Sequence, residues 1–155
     1  ISAGFGATKT VIPHAAGGYV YRKGKLNNMF FSLPPSLQTA AGMSSTATEM
    51  ANWIIALQNQ QFLKKQSSMI SLWAPAVLNN GKTGGFSDLL NGYAAGWPVV
   101  ARAEHPAVAP VGGRRSAVFV YPEDNLSIII LTNLSGGSPD VFIDELAGLF
   151  IPGMK

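Results

Sequence analysis

The chain has 155 residues, of which 47% are hydrophobic and 12% charged, and this composition suits a folded domain with a buried core rather than a disordered segment. The formal net charge of +3 is too small, and its cations too scattered, to predict nucleic-acid binding, and no cysteine is present for a disulfide or a thiolate metal site. No apolar run approaches the ~18 residues of a membrane span, so we expect no transmembrane segment.

Residues 1–35 are rich in glycine, proline and alanine, and we interpret them as an extended arm that runs over a surface. One short strand is predicted at 18–21, followed by a basic turn from Arg22 to Lys25. The chain starts at Ile1 with neither an initiator methionine nor a signal-like segment, which we interpret as trimming or processing of a longer product.

The strongest local signal is a capping box, in which Thr46 and Glu49 are spaced to satisfy each other's free backbone N–H groups and so to begin a helix. The apolar residues that follow recur at i, i+3, i+4 and i+7 and predict one buried stripe, formed by Met50, Trp53, Ile54 and Leu57. A shorter helix is predicted over 67–73, because Pro75 disfavours helical geometry at the residue before it.

Beyond residue 92 the period of the pattern changes. Alternating residues predict a strand over 93–99, and a second strand is predicted over 107–111. Two apolar runs at 116–121 and 126–131, joined by a turn-like sequence at 122–125, predict a hairpin. Because residues 128–131 are apolar on both faces, we expect this strand to lie centrally in the sheet.

A C-terminal helix is predicted over 138–151, with Ser138 as the N-cap and Pro139 in the first helical position. We expect its buried side to be formed by Val141, Leu146, Leu149 and Phe150. The layout predicts one α+β domain over 1–155, in which three to four antiparallel strands at 93–133 are flanked by helices at 46–73 and 138–151.

Four segments also carry a family resemblance. Residues 41–53 read AGMSSTATEMANW, residues 92–97 read GYAAGW, and YPED at 121–124 is followed by LTNL at 131–134. In this order they are similar to motifs of the serine β-lactamase-like superfamily, which includes class C β-lactamases, D-alanyl-D-alanine carboxypeptidases and related esterases. The resemblance runs from about residue 15 to the C-terminus. It implies a partial β-lactamase/transpeptidase-like fold and hydrolysis of a β-lactam, peptide or ester.

The resemblance implies chemistry that this chain lacks. Such enzymes acylate the serine of a Ser-x-x-Lys motif and relay protons through a second motif, Tyr-x-Asn or Ser-x-Asn. No lysine here has a serine three positions earlier, and the second motif does not occur. We therefore expect no catalytic residue in this chain, and we expect both motifs to lie upstream of Ile1 in a longer parent protein.

The family's third motif, Lys/His-Ser/Thr-Gly, binds the substrate carboxylate from a sheet strand. Lys82-Thr83-Gly84 matches it literally, but its turn-rich surroundings favour a surface loop. The position that fits a strand is 110–113. There the resemblance implies substrate binding, with Gly112 retained and an N–H of Gly113 facing the oxyanion.

Two departures weaken the match at this strand. Pro110 and Val111 stand where the family has a cation and a hydroxyl, which makes β-lactamase activity proper doubtful. Arg114 and Arg115 either replace the lost charge and hold a carboxylate or are solvated arginines at the sheet rim. Asn133 either lines the substrate cleft or only ends the last strand.

The remaining polar and aromatic residues favour structural roles. His14 and His105 have no metal-like neighbours in sequence, so we predict ordinary histidines and no metal or other cofactor. Acidic residues near the start of the last helix suit its dipole, namely Asp140, Asp144 and Glu145. We interpret five aromatic residues as core or partly buried side chains, namely Tyr19, Tyr21, Trp53, Trp73 and Trp97.

Three functions stay open at this point. The first is the substrate-side portion of a serine hydrolase that is inactive alone, and the second is a non-catalytic binding or regulatory homologue. The third is an unrelated α+β module that binds an anion at Arg114 and Arg115. We expect a small-molecule or peptide substrate in the parent, no nucleic-acid partner, and a homo-oligomer formed through an exposed sheet edge or the N-terminal arm. The sequence leaves the compartment open, and the resemblance is compatible with the periplasm or secretion.

Overall fold

The structure is a computed structural model that describes residues 3–5, 11–30, 32–113 and 116–154. The helices in these residues are α1 (Gln38–Ala41), α2 (Ala47–Gln58), α3 (Gln66–Trp73) and α4 (Ile143–Ala147), with 3-10 turns at Pro35–Leu37 and Pro139–Phe142. The strands are β1 (Gly4–Phe5), β2 (Gly18–Arg22), β3 (Lys25–Met29), β4 (Met43–Ser44), β5 (Gly92–Tyr93), β6 (Pro98–Val100), β7 (Ala107–Val108), β8 (Val111–Gly112), β9 (Ser116–Tyr121), β10 (Leu126–Leu131) and β11 (Leu134–Ser135). Helices packed on an antiparallel sheet confirm the predicted α+β class.

The main sheet is built around β9. Its strand order is β10-β9-β7-β6-β5, and β8 also pairs with β9. All of these pairings are antiparallel. A second sheet has the order β11-β2-β3, and β1 pairs with β4. The described part of this sheet has six strands rather than three to four, because the strands expected over 93–99 and 107–111 are each divided in two.

Two hydrophobic cores lie on opposite faces of the main sheet, because alternate residues of a strand point to opposite sides. Ala117, Phe119 and Tyr121 of β9 join one core with Ile143 and Ala147 of the C-terminal segment. Val118 and Val120 join the other core, which contains residues from α2 and α3, namely Ile54, Leu57 and Met69. The central strand β9 is thus buried on both faces.

The capping box predicted from the sequence begins α2. The Thr46 hydroxyl accepts a hydrogen bond from the Glu49 N–H at 3.2 Å, and a Glu49 carboxylate oxygen accepts one from the Thr46 N–H at 3.4 Å. The predicted stripe also faces the sheet, since Ile54 and Leu57 are buried there. The second helix, α3, ends at Trp73 as expected, with Ala74 already extended at ψ 124°.

Removal of this cap should cost about 1 kcal/mol in the free energy of unfolding. We expect Thr46→Ala to lower stability by this amount, because the Glu49 N–H loses its acceptor at the free end of α2. Thr48→Ala, at an exposed position one residue inside the same helix, should be neutral. Urea denaturation of both variants measures the difference. Equal stabilities would show that the capping box is not formed in solution.

The predicted hairpin is confirmed, but its second strand does not lie centrally. β9 and β10 pair from Tyr121 with Leu126 to Ser116 with Leu131. Within the described residues β10 pairs with β9 alone, so it lies at the edge of the sheet. The apolar run reflects helical segments that cover both of its faces, since Ile128 joins one core and Ile129 packs against the other.

Two predicted strands are interrupted. The strand expected over 93–99 is a tight reversal between β5 and β6, where the Ala94 N–H donates to the Trp97 carbonyl and Gly96 adopts a left-handed φ of 81°. The same alternation of small and apolar residues occurs in one continuous strand and in two short strands joined by a turn. The pattern alone therefore did not reveal the turn. The strand expected over 107–111 is likewise divided into β7 and β8 on either side of Ala109 and Pro110.

The C-terminal segment differs most from expectation. Ser138 adopts a left-handed φ of 40° without a side-chain cap, a 3-10 turn follows, and α4 ends at Ala147 rather than at 151. A 3-10 turn has about 3 residues per turn, which shifts the phase of the buried face. Ile143, Ala147 and Ile151 are buried instead, and only Leu146 of the predicted set packs against the core, while Val141, Leu149 and Phe150 are exposed.

Candidate functional site

The candidate site lies along β8. Pro110 precedes the strand, and its carbonyl accepts a hydrogen bond from the Val118 N–H at 3.0 Å. The register then pairs Val111 with Ala117 and Gly112 with Ser116. In an antiparallel ladder such pairs alternate between bonded and non-bonded, so the backbone N–H and C=O of Val111 point away from β9. Within the described residues β8 pairs only with β9, which leaves this outward edge open.

The strand ends in a glycine turn. Gly112 and Gly113 are both exposed, and Gly113 has a left-handed φ of 57° that favours glycine. The Ser116 hydroxyl donates to the Gly112 carbonyl at 3.2 Å and holds the turn from the other side. Arg114 and Arg115, the expected carriers of positive charge, lie outside the described residues.

The side chain of Val111 is not directed to a cleft. It packs against the core that contains Phe119 and Ile143. A hydroxyl at this position would therefore face apolar side chains, and the valine suits the packing. Proline lacks an N–H, and the Pro110 carbonyl already accepts from the Val118 N–H. The groups that remain to bind an extended ligand are therefore the backbone N–H and C=O of Val111.

Asn133 follows β10 at the same end of the sheet as the Gly113 turn, since Leu131 pairs with Ser116, which in turn pairs with Gly112. Its side-chain amide donates to the Gly17 carbonyl at 3.0 Å, and its own carbonyl accepts from the Tyr19 N–H at 2.8 Å. The structure therefore places Asn133 at the end of the sheet that carries the Gly113 turn, where it connects the N-terminal hairpin to the sheet.

The literal motif match lies elsewhere, in a loop. Thr83 forms an isolated bridge with Val77, and its hydroxyl donates to the Asn91 carbonyl at 3.2 Å. The Lys82 N–H donates to the Asn80 side chain at 3.0 Å, and the Lys82 residue is exposed. This geometry agrees with the surface-loop interpretation of residues 82–84.

A polar network that the sequence did not predict lies at the opposite end of β9, about 17 Å away for six residues of strand. Arg102 forms a bidentate ion pair with Asp144, at 2.8 and 3.1 Å, and its Nε donates to the His105 carbonyl. The Tyr121 hydroxyl donates to Asp144 at 3.3 Å, and His105 Nδ1 lies 2.8 Å from Asp124. The expected structural role of His105 fits this network. Asp144 lies in the first turn of α4, as expected, and also forms an ion pair with Arg102.

This network borders an apolar cleft of about 580 Å³. Its lining includes Trp73, Pro75, Val99, Val108, Pro122 and Glu123. Arg102 also lines it, but its guanidinium is already held by Asp144, and the hydrogen bond between them raises the pKa of Arg102. The ion pair therefore joins the C-terminal segment to the sheet rather than offering a free cation to a ligand.

Stability should depend on alkaline pH through Tyr121. Burial, and then the charge of Asp144, raise the pKa of the Tyr121 hydroxyl from its ordinary value of 10. Above that pH the unfolded chain loses a proton that the folded chain keeps, so the free energy of unfolding falls by up to about 1.4 kcal/mol per pH unit. Urea denaturation between about pH 8 and pH 11 measures this slope.

Tyr121→Phe should flatten that slope, and Tyr21→Phe is the control because the Tyr21 side chain is 62% exposed. An unchanged slope in Tyr121→Phe would contradict the role of this buried hydroxyl. Since the phenylalanine variant also loses the hydrogen bond to Asp144, the comparison uses the slope and not the absolute stability.

Other kinds of site find little support in the described part of the chain. No group of three or more histidine and acidic side chains is placed to hold a metal ion there. Nor does any helix within it reach the length and apolar character needed to cross a membrane.

Comparison with known proteins identifies one family. A comparison with curated protein sequences finds no match. The profile of the Beta-lactamase family, however, matches residues 2–151. That span contains the capped helix α2, the β9–β10 hairpin and the open edge of β8. Because the match covers nearly all of the sequence, the chain belongs to the Beta-lactamase family.

Proposed function

We propose that this chain forms the substrate-binding side of a serine hydrolase and that the acylated serine lies outside these 155 residues. The open edge of β8 carries the proposal. The outward N–H and C=O of Val111 can pair with an extended ligand as an added strand would. A substrate bound there would run along β8 toward the Gly113 turn.

Gly113 would then supply electrostatic stabilisation. Backbone alternation directs its N–H to the same side as that of Val111, where β8 ends. An N–H at that position can donate to the oxyanion that forms when a carbonyl is attacked, and this role needs no side chain. The exposed glycines at 112 and 113 leave room for the ligand's backbone.

The proposal favours esters or peptides over β-lactams. Pro110 and Val111 offer neither a cation nor a hydroxyl to a substrate carboxylate, and the Val111 side chain packs against the core. Arg114 and Arg115 are the nearest cations in sequence, and we propose that they bind a carboxylate bidentately if the substrate carries one.

A second candidate is a non-catalytic binding homologue, which the departures at Pro110 and Val111 favour. The two candidates differ in what precedes this segment in the coding sequence. The test is to translate the gene upstream of Ile1, express the longer product and treat it with a fluorescent serine-acylating probe. We expect a Ser-x-x-Lys motif, a Tyr-x-Asn-like motif and stoichiometric labelling. Absence of both motifs and of labelling would favour the non-catalytic homologue.

We further propose that the isolated chain self-associates through the edge of β10. This six-residue strand pairs with β9 on one side, and unpaired backbone groups on an apolar edge invite another strand. Light scattering at several concentrations should show a dimer or larger species at tens of micromolar. Leu131→Lys, at a 41% exposed edge position, should weaken association, whereas Leu149→Lys, at a 76% exposed position outside the sheet, should not. A strict monomer would overturn the proposal.

A further inference from the structure

The N-terminal hairpin of β2 and β3 ends in a two-residue turn. Arg22 pairs with Lys25, and the two residues between them, Lys23 and Gly24, both adopt left-handed φ values of 49° and 74°. Such two-residue turns match the natural twist of paired strands. The strand β11, which follows β10 in the chain, pairs in parallel with β2 and so connects this hairpin to the end of the β9–β10 hairpin.

One face of this hairpin is exposed and mainly apolar. Alternate residues and cross-strand partners share a face, so Tyr19, Tyr21 and Leu26 lie together with Asn28, whereas Arg22 and Lys25 belong to the opposite face. The side chains of Tyr19, Tyr21 and Leu26 are 36%, 62% and 62% exposed, whereas Val20 and Met29 on the other face are half-buried. This face therefore combines two aromatic rings with an aliphatic side chain, and the cations lie at the tip and on the opposite face.

The charge of the chain is segregated toward this hairpin. Residues 1–48 contain four lysines and arginines and no aspartate or glutamate, and three of the four cations are Arg22, Lys23 and Lys25. The other seven cations share residues 49–155 with all eight carboxylates of the chain. The modest net charge of the whole sequence hides this division. The hairpin tip is cationic without a local counter-charge in sequence.

We propose that the hairpin tip binds the surface of an anionic lipid membrane. Aromatic rings and a leucine suit the boundary between headgroups and acyl chains, and adjacent cations attract anionic lipids. Arg22 and Lys25 leave the strands on the opposite face beside the turn, and their long side chains can extend past the tip to reach headgroups. Tyr19 and Tyr21 could also stack on bases, but the adjacent Leu26 offers no flat surface and suits acyl chains, which favours lipid over a nucleic acid.

Vesicle co-sedimentation of the full chain tests the proposal. We expect binding to phosphatidylcholine vesicles that contain phosphatidylglycerol, weaker binding to phosphatidylcholine alone, and loss of binding at high salt. The double variant K23E/K25E should lose at least about tenfold in affinity, since each cation near an anionic surface is worth on the order of fivefold. Tyr21→Ser with Leu26→Ser should weaken binding with the charge unchanged.

Matched controls separate this surface from general effects. K64E/K65E makes the same change in net charge outside the hairpin, and Leu149→Ser with Phe150→Ser removes exposed apolar side chains outside it. Neither should alter vesicle binding, and circular dichroism should show that every variant is folded. Equal losses in hairpin and control variants would overturn the proposal. So would failure to bind anionic vesicles at low salt, or binding to an oligonucleotide in preference to vesicles.

Discussion

The isolated 155-residue chain should hydrolyse a chromogenic cephalosporin and a nitrophenyl ester no faster than buffer. The covalent step needs a serine whose proton a lysine helps to remove, and no Ser-x-x-Lys exists in this sequence. Loss of the nucleophile in a serine hydrolase lowers kcat on the order of a millionfold, so the proposed binding at β8 would not by itself give measurable turnover. Absorbance assays at high protein concentration measure this.

Mass spectrometry of the same mixtures provides the decisive control. A stable adduct on any serine, formed in stoichiometric amounts, would contradict the assignment of chemistry to residues outside this chain. Ser116 is the serine to inspect first, because it lies beside the Gly113 turn. Its hydroxyl donates to the Gly112 carbonyl, which leaves it without a base among its observed partners.

Removal of the backbone N–H of Gly113 should cost on the order of a hundredfold or more in kcat, in a longer product that carries the nucleophile. A proline would remove the N–H, but its φ near −65° is incompatible with the observed 57°. Glycolic acid at position 113 replaces the N–H by an ester oxygen and keeps the backbone free to adopt this angle. Steady-state kinetics with a nitrophenyl ester measures the loss.

Two variants control this experiment. Gly113→Asn keeps the N–H and tolerates a left-handed φ, so it should retain most activity. Lys82→Ala should change turnover by no more than a few-fold, because Lys82 lies in the loop of the literal motif match. A large loss in Lys82→Ala, together with full activity of the ester variant, would move the site to that loop.

Local signals in the sequence were sufficient for α2, α3 and the β9–β10 hairpin. The Thr46 cap, the proline after Trp73 and the turn at 122–125 each act within a few residues, and the observed elements begin and end where they predict. Signals that depend on neighbours in space were not sufficient. The apolar run at 128–131 indicates that both faces of β10 are covered, but it does not indicate whether a second strand pairs with β10 beside β9.

The same distinction applies to the sites. The strand position of Val111 and Gly112 follows from a short motif, although only the fold shows that the Val111 side chain packs against the core. Arg102 and Asp144 are 42 residues apart, so no local pattern pairs them. The buried face of the C-terminal segment was predicted wrongly because a 3-10 turn, which no residue type demands, precedes α4.

All three tryptophans of the chain belong to a single aromatic cluster. Trp53 of α2 stacks on Trp97 at 5.7 Å, and Trp73 of α3 meets the same ring edge-on at 5.8 Å. Intrinsic fluorescence excited at the indole band will therefore report only on the sheet face that α2 and α3 cover. Detachment of the C-terminal segment from the opposite face would leave that emission unchanged, so a fluorescence melt and a circular-dichroism melt can differ without any error in either.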